Sequence, residues 1–214
     1  MALKTIVKIS GVNNLSDARY CAGMGVELMG FCLDPTNELS ISPEKFAEIT
    51  GWISGVGLVG EFCESSGIVI KELVESYSLD YIQINNVQEM AYISTIDMPV
   101  ILNIDVSTLE EPEYLREILE EQADLVAYFV LTKGGPETDA AAFDKFLPEI
   151  TSLAKDYPIL LGFAISAANV HSILKTAGIA GIELQGGDEI KPGFKDFGEL
   201  ADILEALEVD DMEQ

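Results

Sequence analysis

The side chains able to do chemistry in this chain gather at the ends of short apolar runs. Lys8 and Ser10 close the first run, Asp34 follows the second, and Glu61 and Glu64 end the third. Gln83 and Asn85 lie on the fourth, Asn103 and Asp105 on the fifth, and Thr132 and Lys133 on the sixth. Such a set fits acid–base chemistry, with a carboxylate such as Asp105 moving a proton and Lys133 steadying developing negative charge. The plain alternative for Asp105 is a hydrogen-bonded scaffold role. Ser10 offers a hydroxyl, a poor base near neutral pH unless a histidine activates it. The single histidine, His171, falls in a helical stretch over residues 167–176. It builds neither a Ser/His/Asp arrangement nor a metal cluster, and is expected on a helix surface or in helix packing. Glycine pairs at Gly134-Gly135 and Gly186-Gly187 can bring backbone N–H groups to an anion, or simply make tight turns. Trp52, closing a helical stretch, reads as a packing residue.

Eight apolar runs must position these groups, over residues 5–9, 28–31, 57–61, 81–84, 100–104, 125–131, 159–164 and 181–184. Most are apolar on both faces, as strands of a buried parallel sheet are. Helical patterns alternate with them. Ser42-Pro43-Glu44 offers an N-cap, a proline at the first helical position and an acid in the first turn. Glu110-Glu111-Pro112-Glu113 likewise places acids where the helix dipole favours them. Eight strand–helix units in about 200 residues predict an α/β fold, a single (β/α)8 TIM barrel. An open doubly wound sheet would have fewer strands and a G-x-G-x-x-G fingerprint, which does not follow Ile9. No linker divides the chain, so residues 1–207 are expected as one barrel and 208–214 as an acidic tail. In such a barrel the strand ends share one mouth, and Gly186-Gly187 after the eighth strand falls where barrels commonly hold phosphate.

Composition narrows the partners. Hydrophobic residues make up 48% of the 214, which excludes general disorder. The net charge of −25, from 37 acids against 12 bases, repels phosphate backbones and anionic bilayers, so no nucleic-acid or membrane partner is expected. Cys21, Cys32 and Cys63 show no C-x-x-C spacing and sit in apolar context, which favours reduced structural thiols. No basic segment followed by an apolar leader opens the sequence, and a cytoplasmic protein is expected.

Several motifs, in order, resemble the phosphoribosylanthranilate isomerase family, the barrel enzyme of tryptophan biosynthesis. Val7-Lys8-Ile9-Ser10-Gly11-Val12 matches its V-K-I-C-G-I opening, and residues 22–31 match its A-G-A-D-x-L-G-F pattern. Ser42-Pro43-Glu44 corresponds to the start of its second helix. Gly57-Leu58-Val59-Gly60-Glu61-Phe62 resembles V-G-V-F, Ile82-Gln83-Ile84-Asn85 resembles V-Q-L-H, and Pro192-Gly193-Phe194-Lys195-Asp196 resembles P-G-x-K-D. The resemblance implies an Amadori rearrangement of a phosphoribosylamine, with a cysteine as general base and an aspartate as general acid, and without a cofactor or metal. The family's cysteine falls on Ser10. Its aspartate, in an L-L-D-T/S pattern, falls on Leu131 within Phe129-Val130-Leu131-Thr132. Its arginine for the anthranilate carboxylate falls near Leu39. Its G-G-L aligns with Phe163-Ala164-Ile165 and its S-S-G with Gln185-Gly186-Gly187.

These substitutions lead to the expectation of a divergent family barrel that does not perform the standard reaction. It is expected to bind a small phosphorylated molecule through Ala164, Gly186 and Gly187, with Lys8, Gln83 and Lys133 as further contacts, as a monomer or homodimer. One alternative is an active isomerase or other phosphosugar enzyme working through Ser10, Asp105, Asp34 and Lys133. The other is a non-catalytic scaffold with its mouth plugged by Phe163 and Leu131.

Overall fold

The first strand pairs with both the second and the eighth, and that closes the sheet. In this computed structural model, which describes residues 2–134, 138–185, 189–191, 194–195 and 198–209, eight parallel strands follow one another around a barrel. They are β1 (Ile6–Ser10), β2 (Leu28–Cys32), β3 (Gly57–Phe62) and β4 (Tyr81–Ile84), then β5 (Val100–Asp105), β6 (Val126–Thr132), β7 (Ile159–Leu161) and β8 (Gly181–Gln185). The closing register sets Lys8 beside Glu183 and Ser10 beside Gln185. Closure excludes the open doubly wound alternative.

Helices α1 (Leu15–Gly23), α2 (Pro43–Thr50), α3 (Gly67–Val74), α4 (Met90–Ile93), α5 (Glu113–Gln122), α6 (Asp139–Leu153), α7 (Val170–Ala177) and α8 (Gly198–Leu207) return the chain between strands and after the last. The two starts legible in the sequence, those of α2 and α5, fall where implied. Ser42 Oγ accepts the Lys45 N–H at 3.3 Å with Pro43 at the first helical position, and α5 opens at Glu113 behind Pro112. At the far end Lys4 N–H donates to Leu207 O at 3.0 Å, and Val209 N–H to Ala2 O at 3.1 Å. Residues 210–214 of the acidic tail lie outside the described residues.

Strand alternation sorts the side chains into two cores. Val7, Ile9, Met29, Phe31, Ile82, Ile84, Phe129 and Leu131 point outward against the helices, each fully or almost fully buried. Leu28, Val59, Ile101, Val130 and Leu160 fill the barrel interior with Ile6, Tyr81 and Tyr128. Above that apolar layer the interior turns polar, toward the carboxyl ends of the strands.

Three expectations change here. Trp52 is 70% exposed, because Phe46 and Ile49 already cover the inner face of α2 and Trp52 comes after its C-cap Gly51. Cys63 is exposed although Cys21 is buried, since it lies one residue beyond β3, where the strand has left the core. Leu131 and Phe163 belong to the buried cluster behind the strands, so Leu131 faces the helices and does not plug the mouth. His171 is exposed on α7, as expected.

Candidate functional site

The polar floor of the mouth is built around a buried cation. Lys8 points into the barrel with no exposed surface, and its Nζ donates to Glu61 Oε1 at 2.6 Å, to Glu183 Oε1 at 2.7 Å and to Ser10 Oγ. Ser10 Oγ–H donates in turn to the same Glu183 oxygen. Glu61 and Glu183 are 7% and 4% exposed, so one ammonium compensates two buried carboxylates. Burial alone would lower the Lys8 amine, but Glu183 and Glu61 together outweigh it and hold it above the ordinary lysine value. Two glycines make the room. A methyl at Gly30 would overlap the Glu61 carboxylate, and one at Gly162 would lie 2.8 Å from Glu183 Oε2.

The remaining predicted residues ring this floor. Gln83 neighbours Glu61 in register and is 6% exposed, and its Oε1 has no hydrogen-bond partner among the described residues. Asn103 Nδ2 donates to Asn85 Oδ1 at 3.1 Å and Thr132 Oγ1 to Asn103 Oδ1 at 3.0 Å, a neutral stripe along β4 to β6. Asp105 accepts from Gly134 N–H at 2.9 Å and from Ser107 N–H and Oγ–H at 2.9 and 2.6 Å. Burial pushes its carboxyl up, but the Gly134 and Ser107 hydrogen bonds, with Lys133 nearby, bring it below the usual carboxylate range. Asp34 is held the same way. Burial raises it, yet donors from Glu64 N–H at 2.6 Å, Ser65 and Thr36 prevail and depress it. Carboxylates saturated by donors are poor proton donors at neutral pH. Glu64 itself is exposed, and Lys133 pairs with Asp139 at 3.1 Å.

On the β7–β8 side the mouth opens into a cavity of about 500 Å3 lined by Gly162 to Ile165, Glu183 to Gln185, Asp139 and the first turns of α8. Ala164 lies there with a left-handed backbone, φ 59°, and its N–H donates to Asp139 Oδ2 at 3.3 Å. Gly186, Gly187 and Gly135 lie outside the described residues. Among the described residues no group of three or more His, Cys, Asp or Glu side chains is arranged to hold a metal ion, and no helix is long and apolar enough to cross a membrane.

The chain matches a family model described as N-(5'-phosphoribosyl)anthranilate isomerase over residues 7–206. The chain belongs to the phosphoribosylanthranilate isomerase family. It is similar to N-(5'-phosphoribosyl)anthranilate isomerase from Synechococcus sp., 26% identical over 213 residues, covering 95% of this chain and 91% of that one. The isomerase from Maridesulfovibrio salexigens is 24% identical over 214 residues, covering 96% and 99%. The crystal structure of phosphoribosyl anthranilate isomerase from Thermotoga maritima shares the fold at a TM-score of 0.76 and 21% identity, covering 95% and 98%.

Ser10, expected at the family's cysteine position, stands on the inner face of β1. Leu131 has no exposed surface and faces the helices, whereas Thr132 is the Cα partner of Asp105 and turns toward the mouth. The β6 position facing the mouth therefore carries a hydroxyl. Leu39 is 64% exposed in the loop after β2. By the resemblance, Glu61 falls on the second valine of V-G-V-F and Ala164 on the second glycine of G-G-L. Sequence reasoning missed Glu183, Asp139 and Glu199. The signal for Glu183 was present, as an acid at an inward position of an otherwise apolar strand.

Proposed function

We propose that this member of the phosphoribosylanthranilate isomerase family binds a small molecule at its barrel mouth and does not catalyse the Amadori isomerisation. One observation carries the reading. The hydroxyl at the cysteine position is locked between the Lys8 ammonium and the Glu183 carboxylate, and no carboxylic acid stands above it on β6. A base and an acid each contribute orders of magnitude to such a reaction, and here neither family group is present. A phosphorylated ligand is supported by family membership, since one family structure was determined with reduced 1-(o-carboxyphenylamino)-1-deoxyribulose 5-phosphate.

The reading is tested by adding freshly made phosphoribosylanthranilate and following the loss of anthranilate fluorescence. Wild type is expected to show no turnover above the protein-free blank, and Ser10→Cys with Thr132→Asp to gain some. Robust wild-type turnover would overturn the proposal. A second reading rests on the Ser10–Glu183 hydrogen bond, through which Ser10 relays a proton from substrate to the carboxylate. It requires wild-type turnover that Ser10→Ala abolishes.

A further inference from the structure

Two donors at the β6 and β7 ends of the mouth converge on one carboxylate. Lys133, the residue after β6, has a side chain only 8% exposed, and its Nζ meets Asp139 Oδ1 at 3.1 Å. Ala164, in the loop after β7, donates its N–H to Asp139 Oδ2 at 3.3 Å. The two oxygens are thus bridged by an ammonium and a backbone N–H, the pair of donors that suits a phosphate oxygen pair. Asp139 is not required to cap α6, since Thr138 Oγ1 does so by accepting the Ala141 N–H at 3.3 Å.

The Ala164 N–H keeps its direction without Asp139. Among the described residues Ala164 is the only non-glycine with a left-handed backbone, φ 59°, which alanine disfavours. Asn169 pins it there, its Nδ2 donating to Ala164 O at 2.8 Å and its Oδ1 accepting the Ser166 N–H at 2.8 Å. Strain held by the surrounding loop in this way marks a backbone group set out for use. Asp139 also has somewhere to go. Its side chain is 57% exposed and borders both the mouth cavity and a second space of about 450 Å3 between α6 and α7.

We propose that Asp139 is a built-in competitor, its carboxylate standing where a ligand's phosphate would sit. A phosphate monoester binds by displacing it from Lys133 and Ala164. The proposal rests on the mouth taking a phosphorylated ligand and adds the residue that sets its affinity. An exposed ion pair with one further hydrogen bond holds the displaced state to roughly a tenth of the population, which weakens apparent binding about 10-fold.

The test is titration of the full chain, labelled with 15N, with inorganic phosphate at pH 7 and constant ionic strength, following the Ala164 amide resonance. Asp139→Ala is expected to bind phosphate about 10-fold more tightly than wild type, and Asp139→Asn, which can keep the Ala164 contact, about 5-fold. Adding Lys133→Met should cancel either gain. Asp156→Asn, which removes the same charge beyond the far end of α6, should match wild type. Phosphate binding by both Asp139 variants equal to or weaker than wild type would overturn this proposal alone. An equal gain in Asp156→Asn would do so too, since it would reflect only the net charge of −25. Phosphate binding to none of these proteins would overturn the proposal together with the phosphorylated ligand class. Isomerase turnover would overturn the non-isomerase reading and leave the tighter binding of the Asp139 variants as support here.

Discussion

Lys8→Met is the substitution that most directly probes how this mouth is held together. Lys8 has no exposed surface and is the only cation bonded to Glu61 and Glu183 among the described residues. Methionine fills most of its path, one heavy atom short, and leaves both carboxylates buried without a counter-charge. Removing one partner of a buried pair costs about 3–5 kcal/mol, and here one substitution strands two. Against a typical total of about 5–15 kcal/mol, that is a large part of the stability. For a domain of this size the melting temperature should fall by about 6–20 °C. Urea unfolding at pH 7, followed by circular dichroism, measures the loss. The same assay on Lys8→Met/Glu61→Gln/Glu183→Gln supplies the control, because neutral amides can share the floor without an ammonium. The triple variant is expected to recover part of the loss. A cost below about 1 kcal/mol for Lys8→Met, or a triple variant no more stable than the single one, would refute the idea that the ammonium holds the two carboxylates in place.

The other predictions concern single positions. Leu131→Asp puts a charge against the helices at a site with no exposed surface and is expected to cost more than about 4 kcal/mol, whereas Thr132→Asp should fold with a loss of about 1–2 kcal/mol in the same urea assay. Ala164→Gly relieves a left-handed alanine worth about 1–2 kcal/mol, less about 0.5–1 kcal/mol for glycine's added chain entropy. The melting temperature should therefore rise by about 2 °C. The pH dependence follows from Lys8, whose folded value is raised above its unfolded one. Its contribution is fully present below the ordinary lysine value near 10.5 and is lost as pH climbs through the higher folded value. Unfolding titrations from pH 9 upward should show wild-type stability falling above about 10.5, with the Lys8→Met variant lacking that component.

The sequence by itself determined the barrel and the residues on its strand ends. Eight short apolar runs alternating with capped helices admit few closed arrangements, and a period of two along each strand tells which side chains share a face. Ser10, Gln83, Asn103 and Asp105 could be placed at the mouth on that ground. The tertiary structure decided what they touch. A shift in the β5–β6 register at Val100/Ile101 sets Thr132 rather than Leu131 opposite Asp105, and a one-residue slip sends every later side chain to the other face. Closure decided the rest. Lys8 and Glu183 stand 175 residues apart, and only the pairing of the last strand with the first brings them within 2.7 Å. A sequence shows a lysine and an acid on separate strands. The closed sheet makes them one buried network, because inside a dry barrel each charge must find its partner across the wall.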